Sequence, residues 1–104
     1  MGKLVRDKIP AIIEADGKTP VTEILIDDDI YEMELYIKLQ EEMQEFLDAH
    51  TIQNTIEELA DIMEVVYALA KVYGISKEEL EHMRKRKAEE RGAFDKKIFL
   101  QFVK

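Results

Sequence analysis

Apolar residues recur at helical spacing through most of this chain and lose that spacing in two short stretches. Residues 30–49 read as one long helix, with Met33, Ile37, Met43, Phe46 and Leu47 forming a stripe expected to face the core. Asp27-Asp28-Asp29 stands just ahead of it and offers capping oxygens and negative charge, both favourable at a helix N-terminus. After a polar connection at 50–54, the next segment is apolar on more than one face, through Ile56, Leu59, Ile62, Met63, Val66 and Leu69 among others. A helix of that kind sits at the centre of a fold or in a subunit interface. Thr55 with Glu58 fits a capping box for its start, and Thr51 offers an earlier start that leaves the Glu58 side chain free. Gly74 supplies a left-handed stop, Ser76 with Glu79 forms a second capping box, and residues 77–91 read as a further helix ending at Gly92.

The remaining segments are shorter. Ala11-Ile12-Ile13-Glu14-Ala15 reads as a small helix with Asp7 as its cap, Pro10 tolerated in its first turn and Gly17 as its stop. Residues 21–26 and 98–103 are rich in β-branched and aromatic residues and read as short peripheral strands that pair with each other or pack over the helices. The whole of 1–104 is expected to be a single domain, small enough that self-association would help to bury its apolar surface.

Charge narrows the partners. The net charge of −8 opposes nonspecific attraction to nucleic acid polymers and to anionic membranes, so neither is expected as a partner. With no cysteine, neither a disulfide framework nor a thiolate metal site is open to this sequence. No apolar run has the length of a secretory signal or a membrane span, and a soluble cytoplasmic protein is the expectation.

The chemistry concentrates in two carboxylate pairs of equal spacing, Glu42 with Glu45 and Glu58 with Asp61. Residues three apart share a helix face, so an antiparallel packing of the two helices lets all four acids converge. Gathered like charges repel unless a cation neutralises them, and hard oxygen ligands favour Mg²⁺, with Mn²⁺ as a substitute, over soft metals. The competing reading is a solvated acidic surface, which Glu-rich helices often form. Against it, Glu57, Glu58, Asp61 and Glu64 are the only acids in the apolar segment 56–73, and a buried acid needs a partner. A Mg²⁺ ion keeps coordination positions for water and phosphate oxygens, which points to phosphoanhydride hydrolysis. Glu41 is a candidate base, offset by about 100° from Glu42 around the helix. Lys3, Arg6 and Lys8 either meet phosphates or remain solvated, and the block from Arg84 through Lys85 to Lys87 with Arg91, the one dense positive region, otherwise serves the helix C-terminus and pairs with Glu78, Glu79 and Glu81. His50 and His82 read as surface residues, and Tyr67 and Tyr73 as core.

Glu41-Glu42-x-x-Glu45 followed by Glu58-x-x-Asp61 resembles the motif pair of the all-α nucleoside triphosphate pyrophosphohydrolases, the MazG and phosphoribosyl-ATP pyrophosphohydrolase-like proteins. Lys3-Leu4-Val5-Arg6-Asp7-Lys8-Ile9-Pro10, Glu58-Leu59-Ala60-Asp61 and Arg91-Gly92-Ala93-Phe94 look like the small single-domain branch. The resemblance implies an all-α helical bundle around a four-helix core, commonly completed by dimerisation, and cleavage between the α and β phosphates of a nucleoside triphosphate. It implies Glu42, Glu45, Glu58 and Asp61 as ligands of Mg²⁺ and Glu41 as ligand or base. Lys38, Lys3, Arg6, Lys8, Lys85 and Arg91 become candidates for phosphate contact. Ala93 departs from the second glycine that many relatives carry there, and a positive φ at that position would strain it. A noncatalytic helical interaction module and a Mg²⁺-dependent nucleotide sensor are the alternative functions. Either a dimer or a tetramer fits the apolar excess of 56–73.

Overall fold

The computed structural model describes residues 2–104, which form α1 (Ile9–Ala15), α2 (Asp28–Asp48), α3 (Ile52–Val72) and α4 (Lys77–Arg91) in chain order. The described residues contain no strand, so the protein is all-α. Residues 21–26 and 98–103 are therefore not the strands their composition predicts. They run without regular structure, because each lacks a partner within the chain to pair its backbone.

Most helix boundaries follow from their caps. The Asp27 carboxylate accepts from the amides of Asp29 and Ile30, at 2.9 and 3.2 Å, and opens α2. Thr51 rather than Thr55 opens α3, its hydroxyl accepting from the Asn54 amide at 3.1 Å. That earlier start puts Glu58 well inside the helix, where its side chain has no capping duty. Ser76 and Glu79 form the expected reciprocal box at α4. Gly17, Gly74 and Gly92 take positive φ values of 82°, 78° and 83° where the chain leaves α1, α3 and α4, whereas α2 exits through Ala49 in an extended conformation. Asp7 does not cap α1: the flanking residue is Lys8, without a side-chain cap, and Pro10 in the first turn removes one amide that would have needed one.

Helices α2 and α3 are joined by a short connection and pack antiparallel, so Glu42 meets Glu58 while Tyr36, further back on α2, meets Tyr73 beyond the end of α3. Helix α4 touches α3 alone, and α1 packs on no other helix. The seam buries Leu35 and Val65, each contributing roughly 1.5–3 kcal/mol by removal from water. The stripe expected to face this core does not. Met33, Ile37, Met43 and Leu47 are all exposed and Phe46 is half-buried, because the side of α2 that meets α3 carries Leu35, Leu39 and Glu42. The apolar residues of α2 thus divide between two faces, and one of them has no partner in the chain.

On α3, Ile56, Leu59 and Met63 are likewise uncovered. The accessible surface totals 9634 Å², whereas a compact chain of this mass exposes about 6,100 Å². The radius of gyration is 17.7 Å against about 13 Å for a compact domain of this length.

The caps give one stability prediction. Thr51→Ala, which removes the hydroxyl holding the Asn54 amide, should lower unfolding free energy by about 1 kcal/mol in thermal or urea melts followed by circular dichroism. An unchanged melt would show that the start of α3 does not depend on this cap.

Candidate metal centre and its cationic edge

Register along the α2–α3 seam decides what the acids meet. Glu42 lies on the same side of α2 as Leu35, and Glu58 and Asp61 on the same side of α3 as Val65, so packing the apolar residues brings the carboxylates together. One oxygen from each of Glu42, Glu58 and Asp61 lies within 4.8 Å of the other two. Glu42 is 7% exposed, and Glu58 and Asp61 are half-buried. Glu42 Oε2 and Glu58 Oε2 are buried without a hydrogen-bond partner. Such orphaned oxygens are costly unless a proton or a cation satisfies them.

Burial above all pushes the Glu58 carboxyl up to about 7 from 4.5, aided by a hydrogen bond with Glu42 and by the charges of Glu45, Asp61 and Glu42. That hydrogen bond exists only when one of the two carboxyls holds a proton. With both ionised, the oxygens face each other as unrelieved acceptors. Glu45 is exposed and stands outside the three-residue cluster, near enough for its charge to act on Glu58.

Cations line one edge. Arg6 donates to Asp61 at 2.6 Å. The Lys38 ammonium lies 3.4 Å from both Glu41 and Glu42, and Lys3 lies 3.8 Å from Glu41. Arg6 and Lys3 come from the irregular segment ahead of α1, so that segment folds back across the seam. Of the sequence-predicted phosphate contacts, the structure therefore assembles Lys3, Arg6 and Lys38 at the acids. Lys8, Lys85 and Arg91 make no ion pair or hydrogen bond with the cluster among the described residues. Helix α4 touches neither α1 nor α2, which leaves its basic block away from the acids in a single chain. Arg84 instead holds Glu81 through two hydrogen bonds of 2.8 and 2.6 Å.

The hard oxygen donors, their spacing and the two orphaned atoms fit a divalent cation such as Mg²⁺. Three carboxylates without imidazole or thiolate disfavour softer metals. His50 and His82 are both exposed.

At the other end of the seam, the Tyr36 and Tyr73 hydroxyls both donate to the Glu32 carboxylate and lie against each other there. The Tyr36 contact first, and then that of Tyr73, holds Glu32 below the usual carboxylate range, while Glu32 raises the Tyr36 hydroxyl. Tyr73 is thus an exposed latch between α2 and the end of α3 rather than a core residue. Glu32 with Tyr36 has only ordinary helix spacing in the sequence, and nothing local joins the pair to Tyr73. Tyr67 is half-buried with the Lys77 ammonium 5.0 Å from its ring centre. The positive φ beyond α4 falls on Gly92, and Ala93 avoids it, so the alanine is not strained.

Among known proteins, a relative in Mycolicibacterium smegmatis, described as an uncharacterized protein, is 46% identical over 57 residues. The match takes in 55% of this chain and 57% of that relative, so the chain spans little more than half of the relative's length. No solved structure matches the chain. The model of the family described as phosphoribosyl-ATP pyrophosphohydrolase matches residues 13–97, which include all three acids of the cluster. This chain belongs to the phosphoribosyl-ATP pyrophosphohydrolase family.

Proposed function

We propose that the protein is a Mg²⁺-dependent nucleoside triphosphate pyrophosphohydrolase that cleaves between the α and β phosphates, releasing a nucleoside monophosphate and pyrophosphate. The observation that carries this reading is the meeting of buried Glu42 with half-buried Glu58 and Asp61, with two carboxylate oxygens left unpartnered and cations along one edge. Family membership supports a reaction of this class.

In this reading Glu42, Glu58 and Asp61 hold the divalent cation, and Glu45 joins them from its exposed position on α2. When bound, the cation offsets charge that builds on the phosphates and lowers the pKa of a coordinated water. Lys3, Arg6 and Lys38 bind anionic oxygens, which requires Arg6 to exchange Asp61 for phosphate. Water adds to phosphorus as the bridging P–O bond breaks, and Glu41, on the cationic edge, takes the proton that the water gives up. Lys8, Lys85 and Arg91 contribute only if a second copy brings them to the site.

A second copy is part of the proposal. The chain exposes about 3,500 Å² more than a compact chain of its mass, about 7,000 Å² for two copies, which is ample for an obligate interface that buries roughly 2,000–5,000 Å² over both partners. Pairing the open faces of α2 and α3 with those of another chain produces a four-helix core from two helices each.

Pyrophosphate and monophosphate measured over a nucleotide panel with Mg²⁺ should show release from the wild type, reduced at least about 100-fold in Glu58→Gln and Asp61→Asn. Equal release from variants and wild type rejects the site, and binding without release makes the protein a nucleotide sensor.

Stability should respond to pH through Glu58. Its folded value of about 7 lies above the ordinary 4.5, so the folded state binds the proton more tightly and loses stability as pH rises from 4.5 to 7. In chelator the melting temperature should fall across that window and level off above it, and Glu58→Gln should flatten the dependence. Added Mg²⁺ should raise the melting temperature most above pH 7. A melt independent of both pH and Mg²⁺ would count against the cluster as a cation site.

Sedimentation equilibrium should give a mass at least twice 12.2 kDa. Leu59→Asp with Met63→Asp should shift it to the monomer, and a monomeric wild type would overturn the assembly.

A further inference from the structure

The segment 92–104 leaves α4 as an arm. Gly92 turns it, and the Lys97 amide donates to the Phe94 carbonyl at 3.1 Å in a turn that puts Lys97 at φ 56°. Beyond the turn, residues 98–103 make no backbone hydrogen bond among the described residues, and nor do residues 21–26. Phe94, Ile98, Phe99, Leu100, Phe102 and Val103 are 68–94% exposed. An apolar stretch with an unpaired backbone is unfavourable in water and readily pairs with another chain.

Charge says what kind of partner. Residues 84–104 contain eight basic and three acidic residues, whereas residues 1–83 contain seven basic and twenty acidic ones. The arm and its root are thus positive on a strongly negative body, and the surface that best complements them belongs to the same kind of chain.

A receiving groove exists on that body. It has a volume of about 640 Å³ and lies between the segment ahead of α1, residues 21–25 and α2, walled by Leu4, Val5, Ile24, Leu25 and Tyr31. Asp7, Glu23 and Glu34 also line it. Its two cations, Lys3 and Arg6, already pair with Glu41 and Asp61. The exposure of the arm in a single chain shows that it does not fill its own groove. Thirteen extended residues reach at most roughly 45 Å, comparable with the 59 × 35 × 25 Å dimensions of the chain.

We infer that the arm of one copy docks in the groove of a second, laying its aromatic side chains between residues 21–25 and the segment ahead of α1, with Lys96 and Lys97 near the acids of the rim. The inference rests on the self-association proposed above but not on the reaction. It goes beyond the helix-to-helix interface, because each copy then also clasps the other through an exchanged segment.

The absence of cysteine makes a clean test possible. Phe99→Cys and Ile24→Cys fall at positions 88% and 85% exposed, so neither substitution disturbs packing within the chain. Two full-length chains, one bearing each substitution and distinguished by a mass label, are mixed under mild oxidation and scored by intact mass. The mixed disulfide should form at least tenfold faster than one between Phe99→Cys and a control Met83→Cys on α4. A rate equal to the control overturns the inference, as does disulfide closure within one chain when both substitutions are placed on the same chain. Attachment of the arm to phosphatidylserine vesicles without a mixed disulfide also overturns it, in favour of a membrane surface. Sedimentation and pyrophosphate release in the same samples separate these outcomes: a dimer that hydrolyses nucleotide but forms no mixed disulfide loses the arm exchange alone.

Discussion

Glu42 and Glu58 approach each other inside the seam that joins α2 to α3, where a helical hairpin would ordinarily place leucine. Two carboxylates in that position are desolvated and repel one another, and each retains an oxygen with nothing to accept from. The Arg6, Lys3 and Lys38 cations relieve this at the edge of the seam, and burial makes Glu58 hold a proton more tightly than an exposed glutamate does. A divalent ion would relieve the same repulsion more completely. A helical scaffold with no chemistry to perform has no need of this arrangement, since apolar side chains would fill the seam at lower electrostatic cost.

The same seam explains why the core is thin. Leu35, Val65 and Ala70 are the buried apolar residues among those described, and they lie in the helices that carry the acids. The other apolar faces of α2 and α3 point away from it and stay wet, which is why the accessible surface is so large for the mass. Within one chain, the buried apolar residues and the acids therefore share one face of the two helices, and the remaining apolar faces stay open. On the proposed assembly, the acidic face meets nucleotide and the apolar face meets another chain.

Charge is divided along the chain in a similar way. The segment ahead of α1 brings Lys3 and Arg6 to the acids, while the larger positive block on α4 and the arm stays apart from them in one chain. On the proposed reading, an acidic protein that handles phosphates needs local positive charge, and the short N-terminal segment is what would supply it at close range.

Much of this was legible in the residues themselves. Capping side chains are local, so Asp27, Ser76 and Glu79 mark helix ends that the structure retains. The spacing of Glu58 and Asp61 is equally local, because three residues along a helix return to one side of it, whereas Glu45, at the same spacing from Glu42, stands outside the cluster. Only packing could decide the rest. Choosing Thr51 over Thr55 as the start of α3 freed Glu58, and the register of α3 on α2 made Leu35, not Met33 or Ile37, the buried residue. The ion pair of Arg6 with Asp61 and the meeting of Tyr36 with Tyr73 join residues 55 and 37 positions apart, and no sequence period reports such pairs. The β-rich stretches show the limit most plainly: side-chain type favours an extended backbone, but a strand also needs a neighbour to share its hydrogen bonds, and within one chain neither stretch has one.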